Sequence, residues 1–338
     1  MTAAVSERDL ADLGVFRIAV PIPFPQAGGP VNVYLVEEAA GGLLLFDAGL
    51  GTEAARSALE DGFRRLGRHL SEVTRIVVSH GHVDHYGGAR AIQEACGGDL
   101  PVLAHPLDIP KMEEGGWRWR DEAPRYAAHL ARLGVPAEVL AAVAREGERG
   151  FGMARRVPRV RPVGGGEVIR TRHLSLELHH MPGHTPGLLC AHDRERRIFL
   201  SDDHLLEKVS PNPLIELGPE GEEGFFRPLL AYLDSLERTR RLEIDLVLPG
   251  HGPPFSGHRA VIDALLGFYG RRQARILEVL EAGARPAWGI AREIFPSAGP
   301  QEAFLVASEV VANLEVLEAR DQVTRALRDG VWAFALAA

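Results

Sequence analysis

Between residues 77 and 88 the chain reads VVSHGHVDHYGG, which places His80, His82, Asp84 and His85 within six positions. Four titratable groups this close repel one another when charged and are costly to bury when unpaired. Bound metal is the natural compensation. The apolar run VTRIVVS before the cluster predicts a buried strand, and GARAIQEACG after it predicts a helix ending at Gly. Along an extended chain His80, His82 and Asp84 share one side, while His85 faces elsewhere. That pattern suits two ions, with His80 and His82 on one and Asp84 and His85 on the other. Gly87 and Gly88 then allow a tight turn and a close approach of the following helix.

Two or three side chains do not complete a metal shell, so further ligands must come from distant segments. Three apolar runs end in candidates. MPGHTPG carries His184 in a loop rich in Gly and Pro. IFLSDDHLL carries Asp202 and Asp203. LVLPGHGPP carries His251. Strand ends that deliver residues to one face are how active sites of mixed α/β proteins are built. The first hundred residues alternate strand and helix, giving a mixed α/β (α+β) class. Residues 107–157 interrupt with two predicted helices, read as a lid or a dimer contact. Strands resume at 159, and a helix-rich stretch covers 222–241. Residues 257–338 read as a separate helical module with a short terminal strand, in an order that resembles a winged helix.

Charge narrows the partners. The net charge is −8, and from residue 259 onward nine Arg face ten Asp and Glu with no Lys. Neither the whole chain nor its last module has the basic excess of a nucleic-acid reader. The module is therefore expected to serve packing or dimerisation. No apolar run reaches the roughly 18 residues of a membrane helix. The N-terminus lacks the apolar core of a signal peptide, and Cys96 and Cys190 show no pairing motif. The expected setting is the reducing cytoplasm.

The segments LLLFDAG, SHGHVDHYGG, MPGHTPG, LSDDHLL and LPGHG, in this order over residues 14–256, resemble the metallo-β-lactamase-fold hydrolases. Within that superfamily the chain resembles the glyoxalase II-like branch, including members with a winged-helix-like C-terminal domain. The resemblance implies a four-layer αββα sandwich over residues 1–256, with 107–157 as a helical insertion and 257–338 as the C-terminal module. It implies that His80, His82 and His184 hold a first metal, that Asp84, His85 and His251 hold a second, and that Asp203 bridges them. Asp47 would support the ligand loop by hydrogen bonding. Where the family pattern has Gly before the bridging residue, this chain has Asp202. An Asp tolerates the left-handed backbone such a turn needs, so replacing Asp202 by Gly is expected to be nearly silent.

Nitrogen and oxygen ligands without cysteine suit two Zn²⁺ ions and also accept Fe or Mn. Two such ions would supply a hydroxide near neutral pH, positioned in part by Asp84, for attack on a carbonyl without any protein nucleophile. The expected activity is hydrolysis of a small ester, thioester or lactone. The alternatives are a phosphodiesterase or ribonuclease of the same fold, which the charge disfavours, and a sulfur dioxygenase, which would need only the first metal. Expected substrate contacts are His204, Trp117 and Trp119.

Overall fold

The computed structural model describes residues 7–23, 28–150, 153–218 and 226–337, without the side chains of 7–9, 116–120, 146 and 148–150. Two sheets face each other. The first has six strands: β1 (Val15–Val20), β2 (Val31–Glu37), β3 (Leu43–Phe46), β4 (Val73–Val77), β5 (Val102–Ala104) and β6 (Arg161–Pro162), side by side in sequence order. Its first two pairings are antiparallel and the other three parallel. The second has five: β7 (Val168–Arg170), β8 (Ser175–His180), β9 (Leu189–Asp193), β10 (Ile198–Asp202) and β11 (Leu246–Pro249), with β10 and β11 parallel.

The apolar runs are continuous because both faces of the central strands are covered. In β3, Leu44 and Phe46 point between the sheets, where they meet Leu176, Leu189, Leu200 and Leu248 of the second sheet. Leu43 and Leu45 point the other way, against Leu59 and Phe63 of helix Glu53–Arg65 and Ile92 of helix Ala89–Ala95. In the second sheet Cys190, Phe199 and Val247 face outward onto Leu229, Tyr232 and Leu236 of helix Pro228–Arg240. Helix, sheet, sheet, helix is the expected αββα sandwich.

The insertion contains three helices rather than the two expected: Ile109–Glu114, Gly116–Arg132 and Ala137–Gly150. The last part of the chain forms helices His258–Leu280, Ala287–Ile294 and Ala303–Ala319 with a small antiparallel sheet of β12 (Arg285–Pro286), β13 (Val323–Arg328) and β14 (Val331–Leu336). The sequence reading had only the terminal strand. VTRALR escaped it because five of its six residues are solvent-exposed, so no buried alternation marks it. Insertion and C-terminal part share one core: Tyr126, Leu130, Leu133, Val135 and Val143 pack with Ile276, Ile290, Val310 and Leu314. Among the described residues no helix is long and apolar enough to cross a membrane.

Candidate metal centre

Five chain segments deliver the site, each at or just beyond a strand end. Asp47 follows β3 with φ 66°, and Asp202 ends β10 with φ 47°, both in the left-handed region. His80 lies three residues past β4. The chain then turns helical at Val83–Tyr86, so Asp84 and His85 diverge around a helical turn. This differs from the extended alternation read in the sequence, but it separates the same pairs. Gly88 is needed where the next helix begins, since a Cβ there would sit 2.3 Å from the Ala48 carbonyl oxygen. Gly250 is needed for the same reason, as its Cβ would sit 2.3 Å from Asp203 Oδ1.

The expected ligands converge. His80, His82 and His184 form one group, and Asp84, His85 and His251 another, each with its ligand atoms within 4.8 Å. His80 Nε2 and His82 Nδ1 face each other at 3.0 Å. Asp84 Oδ2 is 3.8 Å from His85 Nε2 and 3.6 Å from His251 Nε2. Asp203 stands between the groups, with Oδ2 3.3 Å from His184 Nε2 and 3.6 Å from His85 Nε2, and Oδ1 3.6 Å from His251 Nε2.

The outer contacts fix which ring nitrogen faces inward. His251 Nδ1 lies 3.2 Å from the carbonyl oxygens of Gly29 and Pro30, and His184 Nδ1 lies 3.3 Å from that of Asn212. A carbonyl only accepts, so both Nδ1 atoms carry the proton and leave Nε2 a bare lone pair. His85 Nδ1 is held by Asp47 Oδ2 at 2.9 Å, and His80 Nδ1 by Ser79 Oγ at 2.9 Å. Asp47 also accepts from the Ser79 N–H and hydroxyl at 2.7 and 2.9 Å. It thereby joins the start of the His80–His85 loop to the His85 ring. His85 Nε2, His184 Nε2, His251 Nε2 and Asp203 Oδ1 are buried with no hydrogen-bond partner. Bare acceptors aimed at one another repel, and a cation among them removes the conflict. The donor set of imidazole and carboxylate fits zinc, iron or manganese.

Charge follows the same plan. Burial, then His184 and His80, hold the His82 pKa well below the ordinary histidine value. Burial also opposes a charge on His85, but Asp202, Asp203 and Asp84 outweigh it and raise its pKa well above the ordinary value. Burial would raise the Asp203 pKa, but His251 and His85 bring it well below the usual carboxylate value. In the buried pair Asp47 and Asp202, burial and the neighbouring Asp202 raise the Asp47 pKa well above the ordinary carboxylate value.

Three residues beside the site were not legible in the sequence. Asp108 Oδ2 accepts from Gly81 N–H at 2.9 Å and Thr185 Oγ at 2.6 Å. It thereby ties together the loops carrying His80, His82 and His184. Lys111 bridges Asp108 to Glu216. Asn212 links His184 outward, its side-chain amide donating to Leu305 O at 3.4 Å. An Asp at the end of LAHPLD and an Asn between prolines carry no motif that announces a neighbour 70 or more positions away.

His204 is corrected as a substrate contact. Its ring is fully buried, Nε2 is 2.7 Å from Thr239 Oγ1, and burial followed by Arg238 lowers its pKa to about 3. It is a neutral core histidine beneath the site. Trp117 and Trp119 begin helix Gly116–Arg132, and their side chains lie outside the described residues. His105 and His180 stack with ring centroids 4.0 Å apart and belong to neither ligand group.

This fold, with these candidate ligand groups gathered at its strand ends, defines a metallo-hydrolase class. The model of the metallo-beta-lactamase superfamily matches residues 27–251, and the chain belongs to that superfamily. It is 30% identical over 313 residues to a protein named probable metallo-hydrolase YqjP of Bacillus subtilis (strain 168), covering 91% of this chain and 93% of that one. It is 28% identical over 249 residues to the acyl-coenzyme A thioesterase MBLAC2 of Gallus gallus, covering 70% and 77%. Among solved structures, the metallo-beta-lactamase family protein TTHA1429 from Thermus thermophilus superposes with a TM-score of 0.79 at 28% identity, covering 96% of this chain and 98% of that one. The similarity to YqjP and to the Thermus protein runs through the C-terminal part as well.

Proposed function

We propose that this metallo-hydrolase is dinuclear and cleaves small thioesters, with esters and lactones as weaker substrates. One observation carries the reading: four buried, unpartnered ligand atoms on His85, His184, His251 and Asp203 aim at one another between two complete ligand groups. His80, His82 and His184 hold the first metal, Asp84, His85 and His251 the second, and Asp203 the space between. Zinc is the expected metal, and iron or manganese would fit the same donors. When bound, the two ions supply a water activated near neutral pH and polarise the substrate carbonyl.

The chain's own groups do the rest. Asp84 keeps 11% of its side chain exposed and His85 none, so Asp84 is the more solvent-near of the two. Lys111 is neutralised by Asp108 and Glu216, so it offers no free cation to a phosphate diester. The similarity to a protein named as an acyl-coenzyme A thioesterase supports thioester over lactone. We read the C-terminal part as a winged-helix-like module used for packing, since its apolar faces are covered by the insertion.

The test is a panel of acyl thioester, ester, lactone, β-lactam and phosphodiester substrates against zinc-loaded protein. The expected result is the highest kcat/KM on a thioester, lost in chelator and restored by zinc. Phosphodiester hydrolysis with no thioester turnover would reject the reading.

A further inference from the structure

Asp202 belongs to neither inward-facing ligand group, yet it touches both. Its Oδ1 lies 3.3 Å from His80 Nδ1 and 3.2 Å from His85 Nδ1, and it accepts from the Asp203 N–H at 2.9 Å. One oxygen therefore meets a histidine of each group and the backbone of the residue between them. The contacts close into a ring behind the site. Asp47 Oδ2 accepts from Ser79 Oγ at 2.9 Å, Ser79 Oγ meets His80 Nδ1 at 2.9 Å, and His85 Nδ1 returns to Asp47 Oδ2 at 2.9 Å.

We propose that Asp202 is a positioning residue that couples the two metal positions: its Oδ1 is the shared acceptor that aims His80 Nε2 into one group and His85 Nε2 into the other. The backbone alone does not explain an aspartate here. At φ 47° glycine is unstrained and asparagine is tolerated. A carboxylate that is 1% exposed carries a large burial cost unless charged hydrogen bonds offset it. Asp202 Oδ1 accepts one such bond, from the Asp203 N–H, and stands at ion-pair distance from both Nδ1 atoms beside their hydrogen bonds to Ser79 and Asp47. A negative charge there favours protons on Nδ1 and leaves both Nε2 atoms as ligands. His80, His85 and Asp202 also place ligand atoms within 4.8 Å of one another. A third metal there would need both Nδ1 protons to leave, and with them the contacts to Ser79 and Asp47. The ring is thus hydrogen-bonded rather than metal-filled.

The proposal rests on the dinuclear reading, and one experiment separates the two. Full-length zinc-loaded protein is titrated with a chromophoric chelator as wild type, Asp202→Gly and Asp202→Asn. Cobalt-loaded spectra and the melting of each metal-stripped protein are recorded alongside. Asp202→Gly should weaken both zinc affinities by about 10–100-fold, the usual effect of losing a hydrogen-bond partner to a ligand. The cobalt spectrum should shift, and the stripped variant should melt no lower than wild type, because glycine suits the turn. Asp202→Asn, which keeps shape and a weaker acceptor, should fall between. Wild-type affinity in the Gly variant overturns the proposal, as does a change at one position only. Loss of a third metal equivalent, or a stripped variant melting far below wild type, overturns it too. A wild-type chain that holds no metal overturns the dinuclear reading itself.

Discussion

Asp203→Ala should abolish hydrolysis and lower the metal content of the purified protein. Among the described residues Asp203 is the one carboxylate within 3.6 Å of Nε2 atoms from both ligand groups, His184 on one side and His85 and His251 on the other. Without it two cations would face each other with no shared anion, and at least one should leave. Losing a mere hydrogen-bond partner to a ligand costs about 10–100-fold, so losing a shared ligand should cost more than about 10²-fold in kcat. Elemental analysis and initial rates on the same preparation check this. Full metal content with near wild-type turnover would remove Asp203 from the site.

Cutting the chain after residue 256 should leave no soluble enzyme. Tyr126, Leu130, Leu133, Val135, Val143 and Ile215 are each at most 8% exposed, packed in one cluster with the C-terminal helices. Uncovering such a side chain costs about 1.5–3 kcal/mol. Six of them together come to about 9–18 kcal/mol by this bookkeeping, comparable to the roughly 5–15 kcal/mol that holds a domain folded. The segment 211–217 would also lose Ser308 Oγ, which accepts from Ile215 N–H at 3.2 Å, and the Tyr269 hydroxyl, which donates to Pro211 O at 3.0 Å. That segment carries Asn212, whose carbonyl orients His184. Expression of residues 1–256 with solubility and near-ultraviolet dichroism is the check. A soluble, metal-loaded, active fragment would contradict the shared core.

The side chains that converge at the candidate centre were legible because each sits in a short pattern that physical chemistry restricts: histidines and aspartates beside glycines, at the ends of apolar runs. The sandwich was legible for a related reason, since LLLF, IFLS and LVLP are apolar on both faces and only a two-sided core accommodates that. The supporting contacts were not. Asp108 reaches Gly81 and Thr185 across 27 and 77 positions, and nothing local to LAHPLD encodes such a distance. Asp202 was half legible. Its left-handed backbone follows from standing where a glycine is usual, but its contacts with His80 and His85 arise only when β4 and β10 are brought together. Where the sequence alone predicts a nearly silent Asp202→Gly, the proposed positioning role predicts a loss of metal affinity. His204 misled because it follows Asp203 directly, whereas the chain turns after β10 and buries its ring on Thr239.

The central claim is that seven side chains hold two metal ions. Elemental analysis of full-length protein, purified without chelator and quantified by amino-acid analysis, tests it most directly. The account predicts about two metal ions per chain, mainly zinc, with thermal stability that falls when chelator removes them. A content near zero, with stability unchanged in chelator, would contradict it.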